Sequence, residues 1–435
     1  MSHQVIYDLF LSSTGVTTDS RSVKDGQLFF ALKGERFDGN AYAEDVLSQG
    51  ACAAVIDNPA YHRPGGKTIL VEDGLIALQQ LATRYRKDFT IPVIAITGSN
   101  GKTTTKELLT TVLRQKYKVH ATIGNYNNHI GVPLTLLQAP VDTQMLVIEM
   151  GANHIGEIRD LCQIALPDYG LITNVGQAHL EGFGSYHGVI LAKTEMYRFI
   201  KEKGDVAFVN KNDSVLVYNL PDGIKTIPYM SDISFFNKGL HLGYFNEAHK
   251  QCVTHLSGSY NQDNILAART IGAYFNVPLD KIDQSIMDYL PTMNRSQLVE
   301  YVSTSMILDA YNANPSSMRE AIDSFARSEA AKGKVLILGD MKELGPESTA
   351  LHEEVLLYLE QYSWDTVILV GREFGEVMRG LADGRPKGRA YVHFESIETL
   401  STFKDEVLTM LSNKLCLVKA SRSIKLERIT DLFSD

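Results

Sequence analysis

The stretch TGSNGKTT, residues 97–104, has the residue types of a loop that holds the phosphates of a nucleotide. Its two glycines allow a tight turn that points backbone N–H groups inward, and the helix expected to follow adds partial positive charge. Lys102 brings a full positive charge to the terminal phosphates, and the Thr103 hydroxyl is a candidate Mg²⁺ ligand. Ile96 stands where the common phosphate-loop pattern has its first Gly, so this loop is a shortened form. The sequence predicts a nucleotide site, with an ordinary glycine turn between a strand and a helix as the alternative.

Three more side chains could take part in the chemistry of such a site. Glu149 ends the apolar run 145–149, and the carboxyl ends of parallel strands are where ligands collect. His179 follows another apolar run and can ligate a metal through its neutral imidazole. Lys193 lies on the helix expected after it, where an ammonium group would repel a cation unless its charge were changed. Taken alone, the three could equally be a solvated carboxylate, a hydrogen-bonded loop histidine and a surface lysine.

Composition and charge place the chain among soluble globular proteins. It has 44% hydrophobic and 21% charged residues, and no apolar run approaches the length of a membrane span. The 42 basic and 51 acidic residues give a net charge of -9, which argues against a general nucleic-acid binder. The four cysteines form no CxxC pair, so free thiols in a reducing compartment are expected. With no signal-peptide pattern in MSHQVIYDLF, we predict a cytoplasmic protein.

The pattern of elements divides the chain into three parts, and 435 residues exceed one ordinary core. The first part has short strand-like runs and a helical stretch at 75–85, followed by a predicted charged linker at 84–88. The other two alternate apolar strands with helices, as in a parallel sheet covered on both faces. We therefore predict an α/β protein with domains at 1–88, 89–292 and 293–435. The predicted strands are 27–32, 53–56, 93–97, 145–149, 170–174, 205–210, 306–309, 335–338, 366–370 and 415–418.

Ten motifs are spread along essentially the whole chain: TDSRSVKDGQLFFALKGERFDGNAY, TGSNGKTTTKE, NYNNHIGVPLTLL, EMGANHIGEI, AHLEGFGS, AKTE, SYNQDNILAA, DAYNANPSSM, LGDMKELG and KASRSIKLERI. They resemble those of the Mur ligases, ATP-dependent amide-forming enzymes of peptidoglycan precursor synthesis. NNHIGVPLTLL, YNANPSSM and LGDMKELG resemble the branch of the family that adds a terminal dipeptide. The resemblance implies a small α/β UDP-binding first domain, a central P-loop ATPase-type domain with a parallel sheet, and a Rossmann-like third domain.

The resemblance also implies roles for the residues that match the family motifs. Lys102, Glu149, His179 and Lys193 would be catalytic, and Thr103 would join the last three in holding two Mg²⁺ ions. Lys193 would carry a carbamate derived from CO₂, which removes the conflict between an ammonium group and a cation. The ATP-binding residues would be Gly98, Ser99, Asn100, Gly101, Lys102, Thr103, Thr104, Asn261, Asn264, Arg295 and Asp309. The residues near the other substrates would be Ser20, Arg21, Asn128, Tyr311, Asn312, Asn314, Ser421 and Arg422.

The activity implied by the resemblance is ligation of D-alanyl-D-alanine to UDP-N-acetylmuramoyl-tripeptide through an acyl phosphate, by a monomer that uses ATP and Mg²⁺. The loop alone would also fit a motor, a switch or a kinase. One alternative is another ligase of the superfamily, either the one that adds the third amino acid or a folylpolyglutamate synthetase. The other is a nucleotide-dependent switch without catalysis. The joint presence of Glu149, His179 and Lys193 argues against a switch, which needs no metal-holding lysine.

Overall fold

We describe the fold from a computed structural model, which defines residues 2–35, 37–229, 233–328, 332–380 and 390–433. Within these ranges the chain forms three α/β units that follow one another in sequence. None of the helices in the described ranges is long and apolar enough to cross a lipid bilayer. The four cysteines are free, as predicted, and Cys162, Cys252 and Cys416 are buried.

The first unit is built on a small parallel sheet with strand order β1-β2-β5-β6, beside a short β3-β4 hairpin. Helix α3 covers this sheet, and the Asp73 side chain caps its first turn by accepting from the Ile76 N–H. The elements are α1 (Ser2–Ser12), β1 (Val16–Thr17), β2 (Leu28–Phe30), β3 (Lys33–Gly34), β4 (Phe37–Asp38), α2 (Ala43–Ser48), β5 (Ala53–Ile56), β6 (Thr68–Leu70) and α3 (Gly74–Arg86).

The second unit has a parallel sheet with strand order β12-β11-β10-β7-β9-β8. The central strand β7 is buried at all five residues, as a strand covered on both faces requires. Its elements are β7 (Val93–Thr97), α4 (Lys102–Leu113), β8 (Val119–Ala121), α5 (Gly131–Leu137), β9 (Met145–Glu149), α6 (Glu157–Ala165), β10 (Tyr169–Ile172), α7 (Leu180–Phe183), α8 (Tyr186–Lys203), β11 (Val206–Val209), α9 (Ser214–Tyr218), β12 (Lys225–Pro228), β13 (Ser234–Lys238), β14 (His241–Phe245), β15 (Gln251–Val253), α10 (Asn261–Tyr274) and α11 (Leu279–Asp288).

The order of the second sheet places a ligand crevice beside its central strand. The chain leaves β7 for β8 at one edge, returns to β9 next to β7, and then continues with β10 on the other side of β7. Such a reversal opens a crevice at the carboxyl ends of the strands, where open α/β sheets bind ligands. The phosphate loop and Glu149 both lie at this end of the sheet.

The third unit has a six-stranded sheet with order β16-β17-β21-β18-β19-β20, in which only β16 is antiparallel to its neighbour among the described pairs. Asn314 caps α12 in a reciprocal capping box with Ser317, and Pro315 starts the helix. The elements are β16 (Gln297–Glu300), β17 (Ser305–Asp309), α12 (Pro315–Arg327), β18 (Gly333–Gly339), α13 (Ser348–Leu359), β19 (Thr366–Val370), α14 (Arg372–Gly380), β20 (Ala390–Phe394), α15 (Ile397–Thr402), α16 (Lys404–Leu411) and β21 (Lys414–Lys419).

The first two units are joined through α3, which packs against α5 and α6. The linker predicted at 84–88 is wrong in its first part, because α3 continues to Arg86. The buried Arg86 guanidinium donates to three backbone carbonyl oxygens and to the Asp168 carboxylate, each at 3.0 Å. One arginine of the predicted linker thus faces inward and joins the two units.

Replacing Arg86 with alanine is expected to lower the free energy of unfolding by about 3 kcal/mol, because it takes the guanidinium donor from three backbone carbonyl oxygens and one of its partners from the Asp168 carboxylate. Urea unfolding followed by circular dichroism measures this change. The matched control is Arg84→Ala. Arg84 lies two residues earlier on the exposed side of α3, and its ion pair with Asp88 is half exposed. That variant should lose less than about 1 kcal/mol. An equal decrease in the free energy of unfolding in the two variants would contradict the conclusion that Arg86 joins the two units.

Candidate active site

A cleft of about 730 Å³ lies where the three units meet, and most of the predicted site residues line it. Its volume is in the range of pockets that hold small-molecule ligands. The predicted residues that line it are Ser99, Asn100, Gly101, Lys102, Thr103, Thr104, Asn128, Glu149, His179, Asn261, Asn264, Arg295, Asp309, Tyr311, Asn312 and Asn314. The predicted residues outside its lining are Ser20, Arg21, Gly98, Lys193, Ser421 and Arg422.

The phosphate loop joins β7 to α4 in a conformation that needs its glycines. Gly98 and Gly101 have φ angles of 143° and 77°, which lie in the region that favours glycine. A Cβ atom on Gly101 would also lie 2.6 Å from the Asn264 Oδ1 atom. The Lys102 Nζ atom bends back over the loop and donates to the carbonyl oxygens of Gly98 at 2.7 Å and Ser99 at 3.2 Å. An ordinary glycine turn between a strand and a helix, the alternative to a phosphate loop, would not explain why the Lys102 amine lies against the loop carbonyl oxygens.

Burial sets the acidity of the loop lysine. Removal from water lowers the pKa of Lys102 to about 8, with a further lowering by the nearby Arg295 and an opposing effect of Glu149. A partly desolvated ammonium group interacts more strongly with an anion than a surface lysine does. Lys102 and Arg295, from different units, therefore give this part of the cleft a positive character suited to phosphate.

Glu149 ends β9 in a buried position and offers one free oxygen. Its Oε1 atom accepts from the Thr103 hydroxyl at 3.1 Å and from the Asn127 side-chain amide at 2.8 Å. Its Oε2 atom is buried and has no hydrogen-bond partner among the residues that the structure describes. The alternative of a solvated carboxylate is thus excluded, and a buried carboxylate oxygen of this kind beside a hydroxyl fits a hard cation such as Mg²⁺.

The candidate Mg²⁺ site beside the phosphate loop is not one in which protein side chains supply all the ligands. Among the residues that the structure defines, no three His, Cys, Asp or Glu side chains converge on a single point. Mg²⁺ is commonly held by one or two protein oxygens together with substrate phosphates and water. The Thr103 and Glu149 oxygens next to the phosphate loop match that mode of binding.

Lys193 lies on the face of α8 that is buried in the protein, which excludes the alternative of a surface lysine. Its Nζ atom has one long hydrogen bond, 3.4 Å to the Ala152 carbonyl oxygen, and lies 5.4 Å from the centroid of the Phe183 ring. Desolvation, together with the positive charge of Lys102, holds the pKa of Lys193 well below its usual value. This lysine therefore carries an amine that is readily neutral and nucleophilic.

His179 directly precedes α7, has a φ angle of 53° and contacts a carboxylate of the third unit. Its Nδ1 atom is in close contact with the Glu343 side chain, although the two atoms are not aligned as a hydrogen bond requires. This contact lowers the pKa of the Glu343 carboxyl. The Glu181 N–H donates to the Glu343 carbonyl oxygen at 3.2 Å. The structure thus connects a predicted metal ligand to the LGDMKELG motif, whose role the sequence does not explain.

Asn261 and Asn264, at the start of α10, form a chain of hydrogen bonds that supports the phosphate loop. The Asn264 amide donates to the Asn261 Oδ1 atom at 2.8 Å, and its own Oδ1 atom accepts from the Thr105 hydroxyl at 2.9 Å. The Asn261 amide donates to the Ser257 carbonyl oxygen at 2.7 Å. Both residues are buried, and both reach the cleft. They fix α10 to the first turn of α4.

Two guanidinium groups of the third unit gather around one aromatic ring. The Arg295 guanidinium lies 3.8 Å from the centroid of the Tyr311 ring, and that of Arg422 lies 5.1 Å from it. Arg422 also donates to the Tyr311 hydroxyl at 3.1 Å. The Arg295 Nε atom is buried and has no partner in the part of the chain that the structure describes, so this residue of the cleft lining retains an unused donor. The arrangement favours a bound anion.

Asp309 and Lys419 face one another at the carboxyl ends of β17 and β21. The Lys419 ammonium group donates to the Asp309 carboxylate at 2.5 Å, and the Ser296 N–H donates to the other carboxylate oxygen at 3.3 Å. Lys419 is buried and lines the cleft, yet the sequence analysis did not select it. Its position at the end of the last strand of the third unit was the available signal. Asn127 and Tyr260, also lining residues, were missed although both lie within the quoted motifs.

The predicted residues outside the cleft have other contacts. The Arg21 side chain is exposed and pairs with Asp19 at 2.8 Å. The Ser421 hydroxyl donates to the Ala313 carbonyl oxygen at 3.2 Å and accepts from the Lys342 N–H at 2.9 Å. Ser421 thus supports the loop before α12. The roles of Ser20 and Arg21 toward a nucleotide sugar stay predictions.

The third unit touches the phosphate loop directly. The Asn314 side-chain amide donates to the Asn100 Oδ1 atom at 2.8 Å, and the Gln177 N–H donates to the Ser316 hydroxyl at 2.8 Å. Because Asn314 also caps α12, one residue joins that helix to the loop. The cleft is therefore closed between the second and third units.

The Asn314→Ser variant distinguishes the two roles of this side chain, which caps α12 and also contacts Asn100 of the phosphate loop. Serine keeps a capping oxygen but is too short to reach Asn100, so the KM for ATP is expected to rise about three- to tenfold at nearly unchanged stability. Steady-state kinetics and urea unfolding measure the two quantities. Asn314→Ala loses the cap as well and should cost about 1 kcal/mol of stability. A wild-type KM in the serine variant would show that the contact with the loop does not assist ATP binding.

Three protein-family models match the chain in succession. The Mur ligase family, catalytic domain, matches residues 12–86, the Mur ligase middle domain matches 96–272, and the Mur ligase, glutamate ligase domain, matches 294–422. A curated relative from Bacillus subtilis (strain 168), UDP-N-acetylmuramoyl-tripeptide--D-alanyl-D-alanine ligase, is 36% identical over 425 residues, which cover 95% of this chain and 92% of the relative. The chain belongs to the Mur ligase family. The prediction made from its motifs is confirmed.

Solved structures of Mur ligases have the same three-unit fold. MurF from Acinetobacter baumannii superposes with a TM-score of 0.86 at 28% identity, covering 98% of both chains. MurF ligase from Thermotoga maritima in complex with ADP superposes with a TM-score of 0.84 at 27% identity, again covering 98% of both chains. The predicted α/β fold class of this Mur ligase is thereby confirmed.

Proposed function

We propose that this Mur ligase joins D-alanyl-D-alanine to UDP-N-acetylmuramoyl-tripeptide in the cytoplasm, at the expense of ATP. The observation that carries the proposal is the cleft in which the phosphate loop with Lys102 meets Arg295 and Asp309 of the third unit. The name of the Bacillus subtilis relative, which matches over nearly its whole length, supports the choice of substrates. The two alternative functions, a ligase for the third amino acid and a nucleotide-dependent switch, lack support of this kind.

The three domains divide the substrates among them in this proposal. Residues 1–88 bind the UDP end of the nucleotide sugar, with Ser20 and Arg21 as candidate contacts. Residues 89–292 bind ATP, and residues 293–435 bind the incoming dipeptide. The candidate contacts of the peptide substrates are Asn128, Tyr311, Asn312, Asn314, Ser421 and Arg422.

ATP occupies the positive part of the cleft. Residues 98–104 surround its phosphates with backbone N–H groups, and the Lys102 amine exchanges its bonds to loop carbonyl oxygens for bonds to phosphate. Asn261 and Asn264 lie on the adenine side, and Asp309 is suited to accept from ribose hydroxyls. The Arg295 Nε donor, which lacks a protein partner, is available to the phosphates.

The reaction has two steps because hydroxide is a poor leaving group for direct amide formation. A carboxylate oxygen of the tripeptide attacks the γ-phosphorus of ATP, the bond to ADP breaks, and an acyl phosphate forms. Lys102 and Arg295 offset the repulsion between the two anions. The dipeptide amine then attacks the acyl carbon, and the tetrahedral intermediate collapses to an amide as phosphate leaves and the amine loses its proton. The closed cleft keeps water from the acyl phosphate.

The donor set described above fits two Mg²⁺ ions bound together with substrate phosphates. Thr103, Glu149 and His179 would hold them, and their chemistry would be to neutralise phosphate charge. The buried, readily neutral amine of Lys193 is suited to react with CO₂ and become a carbamate, with loss of a proton. The carbamate would add negative charge near Lys102, where an ammonium group would repel a cation.

The substrates themselves test this proposal. Full-length enzyme is incubated with ATP, Mg²⁺ and a panel in which the nucleotide peptide and the dipeptide are varied separately, and products are identified by mass spectrometry. We expect a UDP-N-acetylmuramoyl-pentapeptide only when the tripeptide and D-alanyl-D-alanine are both supplied. A product from the dipeptide-length precursor and a free third amino acid would instead assign the chain to another ligase of the superfamily.

A further inference from the structure

The segment that follows β18 reaches out of the third unit and contacts α7 of the second. Besides the meeting of the Glu343 carboxylate with His179, the Glu343 carbonyl oxygen accepts from the Glu181 N–H at 3.2 Å. A Cβ atom on Gly345 would lie 3.5 Å from the Glu181 Cα atom, so the two backbones are in close contact. Glu343 thus contacts His179 through its side chain and Glu181 through its backbone.

The backbone on both sides of this contact is held in an unusual conformation. Glu343 and His179 have φ angles of 64° and 53°, in the left-handed region that residues with a side chain rarely adopt. The neighbours of Glu343 fix its segment: Met341 and Leu344 are buried, and the Met341 N–H donates to the His352 Nε2 atom at 3.0 Å. Such conformations persist only where the surrounding structure enforces them, and they cluster at functional sites.

We propose that Glu343 is a positioning residue that orients His179 as a metal ligand. By accepting the Nδ1 proton, the carboxylate fixes the ring and leaves the Nε2 lone pair free for the ion. Carboxylate–histidine–metal arrangements of this kind are common, and they raise the affinity of the histidine for the metal. The inference rests on the proposed role of His179 as a ligand. It gives the LGDMKELG motif a function.

The consequence is a link between metal binding and closure of the cleft. Glu343 belongs to the third unit and His179 to the second, so the ring is oriented only while the two units are docked. By linkage, an ion that binds the oriented ring must favour docking by the same factor. An ion pair that served only to hold the units together would lack this reciprocity.

Titration of Mn²⁺ into the full-length protein saturated with a non-hydrolysable ATP analogue, with the protein-bound ion followed by electron paramagnetic resonance, tests the inference. Glu343→Ala is expected to weaken Mn²⁺ binding about tenfold. Glu343→Gln, whose amide oxygen still accepts from Nδ1, should recover part of that loss. The matched control Glu347→Ala removes an exposed carboxylate four residues away and should bind as wild type. Wild-type affinity in Glu343→Ala, with weakened binding in His179→Ala, would overturn the inference and leave the proposed function standing.

A second variant and a second readout separate the remaining outcomes. Wild-type Mn²⁺ affinity in His179→Ala would refute the assignment of that histidine as a ligand, and the role of Glu343 with it. Hydrogen exchange at residues 179–183 and 340–345 should slow on Mn²⁺ addition in wild type and much less in Glu343→Ala. An exchange rate that responds to Mn²⁺ equally in both proteins would mark the contact as a purely structural ion pair and overturn the inference.

Discussion

In the Lys193→Ala variant we expect kcat to fall on the order of 10³-fold, because the site loses the group that would place negative charge beside the metal-bound phosphates. The cause is specific to the buried amine. Lys193 has one hydrogen bond of 3.4 Å, and its surroundings hold its pKa well below the usual value. A lysine whose only task was structural would have better hydrogen-bond partners at this depth.

Rescue of Lys193→Ala by an added carboxylate distinguishes loss of the negative charge of the carbamate from damage to the fold. A short carboxylate such as acetate or formate, added to Lys193→Ala, should restore part of the activity by occupying the vacated space. The urea midpoint should stay at or above that of wild type, since burial disfavours the charged form of the amine and so opposes folding. Lys201→Ala, at an exposed site on the same helix, is the matched control and should be fully active. Full activity of Lys193→Ala would discard the carbamate.

The second large effect is expected at Lys102. In Lys102→Ala, kcat/KM for ATP should fall on the order of 10³-fold, because the phosphates lose a desolvated positive charge. ADP should also bind more weakly, which isothermal titration calorimetry measures. Lys102→Arg keeps the charge on a wider, planar group that does not fit the turn between Gly98 and Ser99. We therefore expect it to recover ADP binding more than turnover.

An unchanged kcat, with kcat/KM for ATP and ADP affinity falling by the same factor, would assign Lys102 to ground-state binding alone. A wild-type KM and kcat in Lys102→Ala would contradict the phosphate-loop account altogether. In both cases the nucleotide-free urea midpoint serves as the control, since the alanine variant also loses the bonds to Gly98 and Ser99.

The residues of the loop could be predicted because the signal is local. A buried run, two glycines, a lysine and a helix start occur within a dozen residues, and the structure places β7, the loop and α4 in that order. The strand predicted at 366–370 agrees with β19, and those at 170–174 and 205–210 differ from β10 and β11 by one or two residues at the ends. The domain bounds at 88 and 292 stay predictions.

Features that depend on distant contacts could not be predicted. The burial of Lys193 results from the packing of α8 against α6 and β10, which its immediate sequence does not reveal. The antiparallel sheet β13-β14-β15 was not predicted, because its strands are short and partly exposed. The pairing of Asp309 with Lys419 joins residues 110 positions apart, and that of Asn100 with Asn314 joins residues 214 apart. A linear pattern does not specify which of many polar residues will meet.

Release of phosphate, measured while each substrate is withheld in turn, tests the central claim most directly. With ATP and Mg²⁺ present, we expect rapid release only when both UDP-N-acetylmuramoyl-tripeptide and D-alanyl-D-alanine are supplied. The tripeptide alone should give at most a slow release from hydrolysis of the acyl phosphate. Release at the full rate with neither substrate would contradict a ligase and favour a nucleotide-dependent switch.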